Sequence, residues 1–199
     1  LTAVEYAVER VLEEGSHPEE LKKRPPFRLI HVQLASEEVL ERIAAFPLSL
    51  VFDIQPVSMC TDMKWIKSRV GEDRAKYAHM VRTFADMGIV LTGSSDSPVE
   101  DINPWRGIYA LAARKPLTGV AADWDWNASE KLSVYDAVCV FSKNVPFANG
   151  EEGKLGTLEV GKFADMAVID RDVFSLPAEE LLKVEVRATY IAGEQVYGI

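Results

Sequence analysis

Leu29-Ile30-His31-Val32-Gln33-Leu34, preceded by Arg28, has the length and apolar density of a short buried strand. Side chains alternate across a strand, so Leu29, His31 and Gln33 share one face and Ile30, Val32 and Leu34 the other. The second face is wholly apolar and suits packing under helices. The first carries the polar pair, which in a parallel barrel would point inward, toward a site at the C-terminal mouth. A hydrogen-bonded core histidine is the other reading of His31, because a single histidine is poor evidence of a metal.

Outward from this stretch, strands alternate with helices. Val4, Ala7, Val8, Val11 and Leu12 predict an amphipathic helix ending near Gly15, and the proline-rich stretch to Pro26 predicts an exposed loop. Ser36 is an N-cap candidate for a helix carrying Val39, Leu40, Ile43 and Ala44. A second strand is expected over 48–55, stopped by Pro56, and a third helix over 73–87, stopped by Gly88. A third strand begins at Ile89 and a fourth helix at Asn103-Pro104. Ser133 and Asp136 form a capping-box pattern. This rhythm implies right-handed βαβ units and a parallel sheet. Three strands near 29–34, 48–55 and 89–95 are expected to neighbour one another in that order, with His31, Gln55 and Asp96 at one end. After Phe147 glycines punctuate short β-like runs, so a boundary is placed between residues 1–147 and a β-rich unit over 148–199. Within that unit a short helix is expected near Pro177–Leu182, and a hairpin over 186–197 turning at Gly193.

Composition bounds the function. The chain has 199 residues, 22 Lys+Arg against 31 Asp+Glu, a net charge of −9 and 48% hydrophobic residues, which is ordinary for a globular protein. The acidic balance argues against non-specific nucleic-acid binding. No apolar run approaches a membrane span, and no signal peptide is recognised. Cys60 and Cys139 stand far apart without CxxC spacing, which suggests a reducing, cytoplasmic setting and no thiolate metal site.

Asp96, in Gly93-Ser94-Ser95-Asp96-Ser97-Pro98, follows the third strand, where barrel enzymes keep catalytic groups. Val90, Thr92 and Ser94 on its side of the strand are small enough for a ligand to approach. An Asx-turn before a proline accounts for Asp96 equally well. Gln55-Pro56 ends the second strand at the same mouth. Arg69 and Arg74 flank Gly71; they suit a substrate carboxylate, or simply pair with loop acids. Trp65, Trp105, Trp124 and Trp126 fall in or near loops, where they could wall a pocket or cover the edge of the core. His17 reads as a loop residue and His79 as a helical surface residue.

Together, Arg28-Leu29-Ile30-His31-Val32-Gln33, Gln55-Pro56, Arg69-x-Gly71-x-x-Arg74 and Gly93-Ser94-Ser95-Asp96-Ser97-Pro98-Val99 resemble, in order, the amidohydrolase superfamily, and within it the YtcJ-like branch called amidohydrolase family 3. The run from Gly156 to Asp170 is similar to the tail of that superfamily. The resemblance implies an α/β fold: a (β/α)8 TIM-type barrel, here its late strands, followed by part of a β-sandwich. By resemblance His31 matches the sixth-strand metal ligand and Asp96 the eighth-strand aspartate, a ligand and catalytic group; Gln55, Arg69 and Arg74 stand at positions for binding substrate. The first-strand HxH and the fourth- and fifth-strand ligands are absent, and Ile30 stands where the family often has Glu. The chain is therefore expected to begin after the fifth strand of a longer parent.

Such enzymes use a divalent metal, zinc by resemblance, to lower the pKa of bound water, while the aspartate carries its proton to the leaving nitrogen. The resemblance implies a parent that hydrolyses C–N bonds in a small amide, cyclic amide or formamide-like substrate. This segment is expected to hold no metal, to turn nothing over, and to self-associate through open strand edges. The rival is a non-catalytic binding or regulatory domain that keeps the fold without the metal.

Overall fold

Strands β1 (Phe27–Ile30), β2 (Leu50–Ile54) and β3 (Val90–Gly93) form one parallel sheet in that order. The structure is a computed structural model of the chain and describes residues 1–15, 17–118 and 126–198. The register sets Leu29 beside Phe52 and Phe52 beside Leu91 on one face, and Ile30 beside Asp53 and Asp53 beside Thr92 on the other.

The first strand lies earlier than the expected 29–34. His31 and Val32 have φ of 71° and 42°, left-handed values that end extended structure at once. The His31 N–H makes the last ladder bond, to Asp53 O at 2.8 Å, and the Val32 N–H turns back to Ile30 O at 3.0 Å. The expected assignment of faces is also reversed. Leu29 packs on the core, while Ile30 lies on the open face, 65% exposed. Alternation alone shows that two faces differ; the register with β2 decides which one the helices cover.

The helices are α1 (Thr2–Glu13), α2 (Pro18–Leu21), α3 (Glu37–Ala45), α4 (Pro56–Asp62), α5 (Ile66–Val70), α6 (Glu72–Ala75), α7 (Val81–Asp86), α8 (Pro104–Ala113), α9 (Val134–Val140) and α10 (Asn144–Asn149). The expected caps form. Ser36 Oγ accepts from Val39 N–H at 3.4 Å, Asn103 Oδ1 from Trp105 N–H at 3.0 Å, and Ser133 Oγ from Asp136 N–H at 3.0 Å. The single helix expected over 73–87 is instead broken between α6 and α7. There the His79 N–H donates to Gln33 O at 2.8 Å and Ala35 N–H to Tyr77 O at 3.2 Å. Backbone pairing with the turn after β1 displaces helical hydrogen bonds, and His79 takes φ 51°.

Leu50, Phe52, Ile54 and Leu91 bury the helix-side face against Ile43, Val81, Phe84, Ile108 and Leu111. Phe52 meets Phe84 edge-on, with centroids 4.9 Å apart. Phe141 slots between β3 and α8 because Gly93 and Gly107 leave room. A Cβ on Gly93 would lie 2.6 Å from the ring, and one on Gly107 closer still. A second cluster joins Met59, Met63 and Ile66 to Ala110 and Trp126.

Beyond Gly150, β4 (Met166–Ile169), β5 (Val186–Ile191) and β6 (Glu194–Gly198) form an antiparallel sheet in that order. The hairpin turns at Ala192-Gly193, φ 50° and 84°, the backbone of a type I′ turn. The short helix expected near Pro177 is a 3-10 helix, Ala178–Lys183, whose Leu181 is buried in the main core and whose Glu179 pairs with Lys115 at 2.6 Å. Helix α10 runs through residues 147 and 148, across the expected boundary. Among the described residues no helix is long and apolar enough to cross a membrane.

Candidate functional site

The C-terminal ends of the three parallel strands carry a continuous arc of polar side chains. Gln55 leaves β2 as the residue before Pro56, the first position of α4. Its Nε2 donates to Ser94 Oγ, just past β3, at 3.0 Å. Its backbone carbonyl accepts from Ser58 Oγ at 2.7 Å. Gln33, past β1, donates from Nε2 to Ser58 Oγ at 3.4 Å and to Asp62 Oδ2 at 3.3 Å. Asp62 in turn meets His79 Nε2 at 2.8 Å, both side chains buried. The arc ties the ends of all three strands together.

On the open face, a cavity of about 300 Å³ is lined by Ile30, Asp53, Gln55, Thr92, Ser94 and Asp96, among others. Asp53 is buried in its wall. Arg28 Nε donates to its carboxylate at 2.7 Å and Thr92 Oγ1 donates to it as well, while Arg28 Nη1 reaches Asn149 Oδ1 of α10 at 3.1 Å. A buried carboxylate is costly without such hydrogen-bond partners. Asp96 has φ 56°, a conformation Asp tolerates, and its carbonyl accepts from Val99 N–H at 2.8 Å. Its side chain is exposed at the cavity rim.

Gln55 and Asp96 therefore meet at one cavity. His31 sits at the same end of the sheet but is exposed on the turn after β1 and does not line that cavity. Arg69 stacks over Trp65, 5.7 Å from the ring centroid, and Arg74 Nε donates to Val70 O at 2.8 Å; neither lines the cavity. Trp105 and Trp126 are buried in the core clusters, and Trp124 lies outside the described residues.

His79 is a correction: it is buried, not on a helical surface. Arg114, capping α8 at φ 51°, donates from Nη1 to His79 O at 3.1 Å and lies 5.1 Å from the Trp126 ring centroid; burial lowers its pKa to about 10. Burial also pushes the Cys60 thiol up to about 12, and its Sγ donates to Lys115 O. Asp53 and Asp62 were not singled out from the sequence. Their signal is a charge inside an apolar run, Leu50-Val51-Phe52-Asp53-Ile54, and an acid between the buried Met59 and Met63.

Among the described residues no group of three His, Cys, Asp or Glu side chains is placed to hold a metal ion. His31 and Asp96 follow the two outer strands of the sheet, and two donors do not make a metal site without further ligands.

The sequence profile of the amidohydrolase family matches residues 2–197. The Bacillus subtilis (strain 168) protein YtcJ, named as an amidohydrolase, is 33% identical over 89% of this chain and 34% of its own length. The N-substituted formamide deformylase of Arthrobacter pascens is 28% identical over 57% of this chain and 20% of its own length. The crystal structure of an uncharacterized metal-dependent hydrolase from Pyrococcus horikoshii OT3 superposes with a TM-score of 0.65 at 26% identity, covering 80% of this chain and 31% of that one. The chain thus spans about a third or less of the length of these relatives.

Proposed function

Because the chain belongs to the amidohydrolase family, we propose that it is the late part of a metal-dependent hydrolase that cleaves C–N bonds in small amides, cyclic amides or formamide-like compounds. The observation that carries the reading is the cavity at the C-terminal end of a parallel sheet, with Gln55 in its wall and Asp96 at its rim. That is where a (β/α)8 barrel keeps its chemistry. In this reading β1, β2 and β3 are late barrel strands, and the antiparallel sheet is part of a β-sandwich.

Asp96 takes the proton of the attacking water and returns it to the departing nitrogen. Gln55 binds the substrate, and Arg69 and Arg74, which do not line this cavity, are assigned to a substrate carboxylate by resemblance alone. The family's divalent metal, zinc by resemblance, needs ligands beyond His31 and Asp96. The hydrolytic activity is therefore assigned to the longer parent and not to these 199 residues alone. The open edge of β1 and the exposed Ile30 favour self-association of this chain. The free Cys60 and Cys139 suit a cytoplasmic setting.

The test is hydrolysis of N-substituted formamides and lactams by a longer protein containing this sequence. Asp96→Asn is expected to reduce kcat by about 100-fold or more, and unchanged turnover overturns the role of Asp96. Elemental analysis of the dialysed 199-residue chain is expected to find less than one metal per chain. A stoichiometric ion lost on His31→Ala would make the short chain a metal protein in its own right.

A further inference from the structure

We infer that Asp62 and His79 are positioning residues: the buried pair grips Gln33 and thereby holds the left-handed turn that presents His31 at the mouth of the sheet. The turn is strained. His31 and Val32 stand in succession at φ 71° and 42°, and Val32 is β-branched, a side-chain type ill suited to positive φ. Such backbone persists where its surroundings over-determine it. Within the turn the Val32 N–H closes on Ile30 O at 3.0 Å; the other restraints come from across the fold. Gln33, the next residue, is held at main chain and side chain alike. Its carbonyl accepts from the His79 N–H at 2.8 Å, and its Nε2 donates to Asp62 Oδ2 at 3.3 Å.

The same Oδ2 meets His79 Nε2 at 2.8 Å. An ionised carboxylate only accepts, which fixes a proton on His79 Nε2 and turns the Gln33 NH2 toward Asp62. The pair is anchored from behind. Arg114, at the end of α8, donates to His79 O at 3.1 Å, and Asn127 Nδ2 donates to Ala78 O at 3.2 Å. The Asp62 and His79 side chains are 9% and 7% exposed, whereas Gln33 lies at the surface. The rigid side of the contact is therefore the buried one, and the placement of the turn is set from the core outward through Gln33. That the pair fixes the turn stands on this geometry; that His31 then serves catalysis rests on the proposed function.

The experiment follows amide hydrogen exchange in the 15N-labelled 199-residue chain and in Gln33→Ala, Asp62→Leu and Asp62→Asn. Asp62→Leu is expected to speed exchange at His31, Ala35 and His79 by about tenfold or more relative to Ser94. The Ser94 N–H bonds to Ile54 O, at the same mouth but away from the pair, and serves as the reference. Gln33→Ala removes only the surface half of the grip. It should loosen His31 and Ala35 by about threefold, whether or not Asp62→Leu folds. Asp62→Asn keeps an acceptor for His79 and should restore most of the protection. A uniform rise that includes Ser94 is ordinary loss of stability and overturns the inference. So does unchanged exchange at His31 in Gln33→Ala. In the longer parent, Asp62→Leu should lower kcat by about tenfold or more with KM little changed, because Gln55 and Asp96 are untouched, and Asp62→Asn should recover it. Local loosening here beside a parent that hydrolyses no amide would sink the proposed function and leave the grip on the turn standing. Amide hydrolysis indifferent to Asp62→Leu would do the reverse.

Discussion

Every residue of β2, Leu50–Ile54, is buried, whereas every residue described in β6, Glu194–Gly198, is exposed. The two strands belong to sheets of equal strand number, the second with a register shift in each ladder. The difference is what lies on them. Phe52 and Leu91 sit beneath α7 and α8, while Val168, Ile191, Val196 and Tyr197 remain open to solvent. A small sheet is stabilised mainly by what packs against its faces, so the first sheet carries its own core and the second does not.

The largest expected effect lies in that contrast. Phe52→Ala should cost about 3–5 kcal/mol of unfolding free energy, and Tyr197→Ala within about 0.5 kcal/mol. Urea denaturation of both variants measures the difference, and comparable losses would mean that the second sheet has a core of its own. The contact between β3 and α8 sharpens the comparison next. Gly107→Ala pushes a methyl group into Phe141 and should cost about 1–3 kcal/mol. Shortening the ring in a Gly107→Ala, Phe141→Leu pair should return part of that loss. A strictly additive pair would show that the methyl group is accommodated elsewhere.

Two smaller effects depend on pH. The Cys60 thiol is held up to about 12 by burial, so the unfolded thiol ionises first. Between the ordinary thiol value of 9.0 and about 12 the unfolded chain loses a proton that the folded chain keeps, and stability falls as pH rises. Alkylation at pH 8 should label Cys139 well before Cys60; equal rates would mean that the cluster of Met59, Met63 and Trp126 around Cys60 opens readily. In the second unit the Arg171 guanidinium, followed by the Glu185 N–H, holds the Asp170 carboxyl well below the usual range. Its contribution is present above the ordinary carboxylate pKa and fades as pH falls through the lowered one. Arg171 is a third exposed and water screens the pair, so the effect on stability is the smallest of the four. An NMR titration in which Arg171→Ala leaves the Asp170 pKa unmoved would refute the cause.

Periodicity and punctuation alone determined the alternation of strands and helices, the parallel order β1-β2-β3, the caps at Ser36, Asn103 and Ser133, and the turn at Ala192-Gly193. These rest on local physics: side-chain spacing, N-cap hydrogen bonds and the tolerance of glycine for positive φ. Motif order placed Gln55 and Asp96 at one mouth for a related reason, since residues that follow parallel strands emerge at the same end of a sheet. Local rules failed where distant segments compete for the same groups. The strand expected to continue through His31 stops because the chain turns left-handed there. The helix expected over 73–87 breaks because the His79 and Ala35 N–H groups take partners across the fold. Only tertiary structure decided that Leu29 faces the helices, that His79 lies buried against Asp62, and that Asp53 pairs with Arg28 on the open face of the sheet. Each of these depends on register and burial, which pair residues far apart in the chain and cannot be read from their neighbours.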